Sequence, residues 1–305
     1  MTEGSLKKGI EENKRNLSLF SVKKQIEELF YEINKKDIAL ILILPIISVL
    51  IMFLPLWIRE TLVVNIENPS WWQYITIYFV HGGLEHLFSN LIWYFVFSFL
   101  GLIISNSCDE KKKYFILFFI IVLTFPLFGS FIQFLGRRSL YSVGSSGIVS
   151  ALVGLTIVFW IYYFNRKNRK INFDLKTLFA FVFYICSFFL YIYIPKKIYS
   201  ITSFIIFLFF LFLLRQDIKN IFLEIKKEAK ENLPRATSLI ISIFFFVLIF
   251  IIIFPSNIIN NEGAIIDYMM HFAGISYGFV ISYIVLYIQN SWVKIIKQKA
   301  KKISF

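Results

Sequence analysis

Apolar residues in this chain fall in long, almost unbroken runs. They do not follow the three-to-four-residue rhythm of a helix with one wet face. Eight runs stand out, at roughly 38–57, 84–104, 114–135, 146–164, 175–194, 198–214, 237–254 and 264–289, each near the 20 or so residues that carry a helix across hydrocarbon. Only Pro195-Lys196-Lys197 separates the fifth from the sixth, and about 40 apolar residues exceed one crossing. The stretch 175–214 therefore reads as a sharp hairpin. The pattern predicts an all-α polytopic membrane protein with eight spans.

Composition agrees. Of 305 residues, 58% are hydrophobic and only 17% are charged, whereas a soluble domain carries about a quarter charged residues. The net charge of +13 would suit a nucleic-acid binder, but the position of the charges decides otherwise. Alternate inter-span segments hold 27 Lys and Arg on one side and 5 on the other. Basic loops stay cytoplasmic, so both termini are expected inside, as in a multi-pass protein of the cell membrane. The basic excess is a topology signal and implies no nucleic acid. Cys108 and Cys186 are too few for a disulfide framework and read as free.

The flanks are polar. Residues 1–37 form a cytoplasmic tail in which Ile26, Leu29, Phe30 and Ile33 have helical spacing. An amphipathic helix on the membrane or the bundle, and a solvated tail, are both open readings. No secretory leader is expected, because the first apolar run starts only at Ile38. Residues 290–305 form a basic cytoplasmic tail behind a membrane-embedded body at 38–289.

Candidate chemistry lies at one depth. By this topology His81, His86 and His271 all fall toward the outer half of the membrane, where the fourth span opens with Gly144-Ser145-Ser146-Gly147. Ionisable groups in hydrocarbon are functional candidates by default. His86 and Asn90 are four apart and share a helix face. The fourth span carries Ser146, Gly147, Ser150, Ala151 and Gly154 at helical spacing, and the eighth carries Gly274 and Gly278 on the face of His271. Small residues let membrane helices approach closely, so the two stripes are expected to meet and to bring Ser146 near His271. A serine beside a histidine is the nucleophile and base of acyl transfer. The oxyanion formed on attack needs donors, and His86, Asn90 and the Ser146 backbone N–H are available. Asp267, one turn before His271, reads as an interfacial carboxylate. Three histidines without a carboxylate or cysteine cluster do not suggest a metal site, and no cofactor is expected.

The run His81-Gly-Gly-Leu-Glu-His86-Leu-Phe-Ser-Asn90, the Gly144-Ser-Ser-Gly147 turn and His271-Phe-Ala-Gly274-Ile-Ser-Tyr-Gly278 resemble the rhomboid intramembrane serine proteases. The resemblance covers roughly 38–164 and 237–289. It implies a six-helix core, with 175–214 as an inserted transmembrane hairpin. It also implies a dyad of Ser146 and His271, an oxyanion site at His86 and Asn90, and His81 as a support of the outer loop. Gly144 and Gly147 would shape the turn that presents Ser146, and 58–83, with Trp71 and Trp72, resembles the family's partly embedded first loop. Three features depart from the family pattern. Gln73 stands where many members have arginine, Ser150 stands where many have an aromatic stacking on the histidine, and three spans rather than one separate serine from histidine.

The function implied is cleavage of transmembrane protein substrates near the outer membrane boundary. The alternative is a non-proteolytic rhomboid-like protein that binds or escorts membrane proteins. A transporter is disfavoured, because no second polar cluster continues the path inward. Reporter fusions at both termini and within 215–236 should all report a cytoplasmic location. An external signal from either terminus would defeat the eight-span topology.

Overall fold

The computed structural model describes residues 33–65, 68–135, 143–168, 197–253 and 268–303. The regular elements among them are helices: α1 (Lys35–Met52), α2 (Leu56–Thr61), α3 (Gln73–Thr76), a 3₁₀ turn (Ile77–Phe79), α4 (Leu84–Asn106), α5 (Lys111–Leu135), α6 (Ser146–Lys167), α7 (Lys197–Glu231), α8 (Leu233–Ile253) and α9 (Tyr268–Ile303). Four are long and apolar enough to cross a membrane, over Leu84–Asn106, Lys111–Phe134, Ser146–Lys167 and Met270–Tyr287, while Leu233–Phe246 is a shorter apolar stretch.

Local chemistry sets the ends. Asn34 opens α1 with a capping box: its side chain accepts from the Asp37 N–H at 3.0 Å, and Asp37 accepts from the Asn34 N–H at 2.9 Å. The helix therefore starts at Lys35, slightly before the apolar run. It stops at Met52, and Pro55 caps a separate short helix. Where 215–236 was expected to be a polar loop, α7 continues as one 35-residue helix to Glu231. The basic tail after 289 likewise extends α9 to Ile303. The expected fifth span at 175–194, the tail over 1–32, Cys186 and Asp267 lie outside the described residues.

The axis of the bundle is α6, whose residues are buried without interruption from Gly147 to Phe159. A helix apolar all round belongs in the middle of its neighbours. Contacts fix the directions of those neighbours. Gly274 lies over Gly147, Ser150 and Ala151, Gly278 over Ala151, and Gly154 against Ile275 and Phe279, so α9 runs parallel to α6. Gly144 meets His86 and Asn90, and the Thr156 hydroxyl reaches the Phe97 carbonyl at 3.1 Å, so α4 is parallel too. By contrast Phe125 of α5 abuts Gly147 while Glu110, just before α5, reaches Tyr162, which makes α5 antiparallel. These senses agree with the alternation expected from charge.

The two ends differ in chemistry. At the Lys167 end, Glu110 accepts from the Tyr162 hydroxyl at 3.0 Å and lies 3.6 Å from Arg166. Glu228 of α7 accepts from the Tyr163 hydroxyl at 2.6 Å and pairs with Lys167 at 3.0 Å. Burial pushes the Glu228 carboxyl up, but Tyr163, Lys167 and Arg235 together hold it below the ordinary glutamate range. Cys108 is free and buried in the turn before α5, its thiol pushed up to about 12 chiefly by burial. The histidines lie at the opposite end.

Lipid tails are as apolar as leucine, so burial alone does not join α6 to α9; close van der Waals packing does. A Cβ at Gly278 would sit on the Ala151 carbonyl. Overpacking of this kind costs about 1–3 kcal/mol, so Gly278→Ala should lower the melting temperature in detergent by roughly 3–10 °C. Gly82→Ala, with nothing within 4 Å of the new methyl, should leave it unchanged. Equal melting of all three proteins would refute the close approach.

Candidate active site

The loop that presents Ser146 is held from three directions. Gly144 adopts φ +105°, a conformation natural to glycine. A Cβ there would lie 2.8 Å from His86 Cε1 and 3.4 Å from Asn90 Nδ2, so only glycine lets the α4 pair come this near the turn. The Gly144 N–H donates to the Ile77 carbonyl at 3.1 Å. Ser145 then serves as N-cap position of α6, with Ser146 as its first residue.

The two serines have different surroundings. Ser145 is 1% exposed, and its hydroxyl lies 3.3 Å from His81 Nε2. Its backbone N–H donates to the same nitrogen at 3.3 Å. Ser146 is half-buried and therefore accessible. The rivalry between them is thus uneven: Ser145 is sealed against His81 and belongs to the architecture of the turn.

His81 bridges two segments with its two nitrogens. Nδ1 lies 3.2 Å from the Phe79 carbonyl, which can only accept, so Nδ1 carries the proton and Nε2 is left to accept from Ser145. Burial, together with His86 at a ring distance of 5.2 Å, pushes its pKa down to about 4, against the weaker upward pull of Phe79.

His86 and Asn90 sit one turn apart at the start of α4. Asn90 is buried, and its Nδ2 has no hydrogen-bond partner among the described residues. A buried orphan donor costs about 1–3 kcal/mol. This one lies beside the glycine two residues before Ser146. The first N–H groups of α6 emerge at the same point, where a helix start favours negative charge.

His271 lies buried in the first turn of α9. The Gly147–Gly274 contact gives the register: Ser146 is one residue before it on α6, and His271 is three before it on the parallel α9. Serine and histidine thus stand at the same level, at the same end of two helices in close contact.

Sequence reasoning missed the work of Gln73. It is buried at the start of α3, and its Oε1 accepts from the N–H of Asn65 at 3.2 Å and of Ser70 at 3.0 Å. Its Nε2 donates to the Thr61 carbonyl at 3.0 Å. One amide thus ties together the loop between α1 and α4, on which Trp71 and Trp72 are exposed.

Residues 68–208 match the family model described as Rhomboid domain, a stretch that holds His81, His86, Asn90, Gly144, Ser146 and Gly147 and stops short of His271, Gly274 and Gly278. The match covers just under half of the chain and, with the helices of membrane-crossing length among the described residues, supports an integral membrane protein with a Rhomboid domain. No curated protein and no solved structure matches it.

The site carries a pH prediction. His81 titrates near pH 4 in the native turn and about 6.5 when free. Between these values only the opened turn takes the proton, so stability is fully present above about pH 6.5 and is lost as pH falls toward 4. The loss is on the order of 3 kcal/mol. Melting curves across this window should slope for wild type and be flatter for His81→Gln. Parallel curves would remove His81 from the turn's energetics.

Proposed function

We propose that the protein is an intramembrane serine endopeptidase that cleaves transmembrane protein substrates near the membrane boundary at the Ser146 end of α6. Ser146 is the nucleophile and His271 its base. The Ser146 hydroxyl attacks the scissile carbonyl and passes its proton to His271. His271 returns that proton to the leaving amine, and water then hydrolyses the acyl-enzyme through the same pair. His86, Asn90 and the Ser146 backbone N–H receive the oxyanion.

The observation that carries this reading is the orphan amide of Asn90. An unpaired buried donor is costly and calls for a reason. A reason follows if its acceptor exists only during the reaction. Such a donor is preorganised for the transition state and spends nothing on the ground state. The sealed Ser145 beside the accessible Ser146 supports the choice of nucleophile. The common level of Ser146 and His271 supports the pairing.

Purified protein in liposomes, given generic transmembrane substrates, tests this directly. Ser146→Ala and His271→Ala should each abolish cleavage, and the double variant should be no worse than either. Asn90→Ala should lose about 100- to 1000-fold in turnover. A fluorophosphonate should label wild type and Ser145→Ala, but not Ser146→Ala. A wild type that neither cleaves nor is labelled, yet retains membrane proteins on purification, would favour the binding or escort alternative.

A further inference from the structure

A second feature lies on the flank of the bundle, away from the serine. Helices α1 and α5 run parallel from the same end, and Lys111 joins their starts through a 3.0 Å ion pair with Asp37. Beside that pair lies a groove of about 650 Å³, lined by the first turns of α1 and by one face of α5. Its walls are apolar, formed by Leu40 of α1 and by Phe115, Phe119 and Leu123 of α5. Its rim holds Asp37, Lys111 and Lys112, and its far end is Thr124.

Three observations specify the occupant. The first is length: Lys111 to Thr124 on a helix spans roughly 20 Å at about 1.5 Å per residue. One leaflet of hydrocarbon is about 15 Å deep, so the groove accepts an acyl chain lying along α5. The second is charge. The starts of α1 and α5 and the turn between α4 and α5 bring Lys35, Lys36, Lys111, Lys112 and Lys113 against Asp37, Asp109 and Glu110. Asp37 engages Lys111 at 3.0 Å and Glu110 engages Lys113 at 2.8 Å. Lys112 is exposed, with no carboxylate in ion-pairing range among the described residues. The third is access: the groove opens sideways from helices that cross the membrane, where lipid is the surrounding solvent.

We propose that this groove is a binding site for an anionic phospholipid, with its acyl chain between α1 and α5 and its headgroup phosphate on Lys112 at the rim. The site lies at the end of the bundle opposite Ser146 and does not depend on the proteolytic reading. A zwitterionic lipid fits the walls equally well but gains less from the rim, so the distinguishing property is headgroup preference.

The test uses the full chain in detergent, offered phosphatidylglycerol or phosphatidylcholine of the same acyl length, with retained lipid counted by native mass spectrometry. Wild type should retain phosphatidylglycerol in preference. Lys112→Gln should weaken that preference about five-fold, the contribution of one lysine near an anionic headgroup. Lys226→Gln, an exposed lysine on α7, should not. Leu123→Trp, which fills the groove from an exposed position, should reduce retention of both lipids while leaving the melting temperature near wild type. Equal retention of the two lipids by wild type, or no effect of either groove variant, would overturn the site. A photoreactive benzophenone side chain at position 123 should cross-link lipid. Cross-linking to residues 1–32 of the chain instead would assign the groove to its own N-terminal segment and likewise overturn the proposal.

Discussion

The structure depends on the approach of two helix backbones. At Gly147, Gly154, Gly274 and Gly278 the helices α6 and α9 touch main chain to main chain. In a bilayer no hydrophobic force drives such a contact, so it rests on surface fit and on lost side-chain volume. Every other feature of the site is measured from this seam. It sets His271 level with Ser146, and it makes α6 the central helix against which α4 and α5 also pack. The opposite end of α6 is fastened differently, by Glu110 on Arg166 and Glu228 on Lys167. A helix held at one end by close packing and at the other by ion pairs has little freedom to slide. Its first residue is then a fixed point in space.

Around that point most of the polar groups hydrogen-bond within the turn, and one buried donor does not. His81, Ser145, Ile77 and Gly144 close on one another and shape the turn. The Asn90 Nδ2 has no hydrogen-bond partner among the described residues. The turn is therefore rigid without exhausting the donors that border it. On the proposed proteolytic reading, the donor left over is the one that meets the developing charge.

Much of this was legible in the sequence because it rests on spacing. The glycines of α9 and the small residues of α6 recur at helical intervals, and the seam follows from that alone. His86 and Asn90 share a face for the same reason. The pairing of His81 with Ser145 was not legible, since it joins residues 64 apart through a turn whose path depends on Gly144. Gln73 was equally opaque, because its partners are backbone groups at 61, 65 and 70 that carry no side-chain signature. The continuation of α7 to Glu231 was misread for another reason. Hydropathy marks where hydrocarbon ends, not where a helix ends. The available signal was the four-residue spacing of Asn220, Glu224 and Glu228, all buried, with Glu228 turned toward Tyr163 and Lys167.

The two departures in residue type from the rhomboid pattern acquire physical reasons in this chain. Gln73 replaces an arginine, which can only donate, with an amide that also accepts. Its oxygen takes two backbone N–H groups that a guanidinium would repel, so the backbone at Asn65 and Ser70 is organised around an acceptor. Ser150 stands where an aromatic would stack on the histidine. It is fully buried, and a Cβ at Gly274 would already come within 2.8 Å of its own Cβ. An aromatic ring at that place would have to part α6 from α9. Ser150 instead turns its hydroxyl back to the Ser146 carbonyl at 2.8 Å and leaves the seam closed. In this chain the histidine's helix is thus held by main-chain proximity along the seam, and the small residue at 150 is a condition of that arrangement.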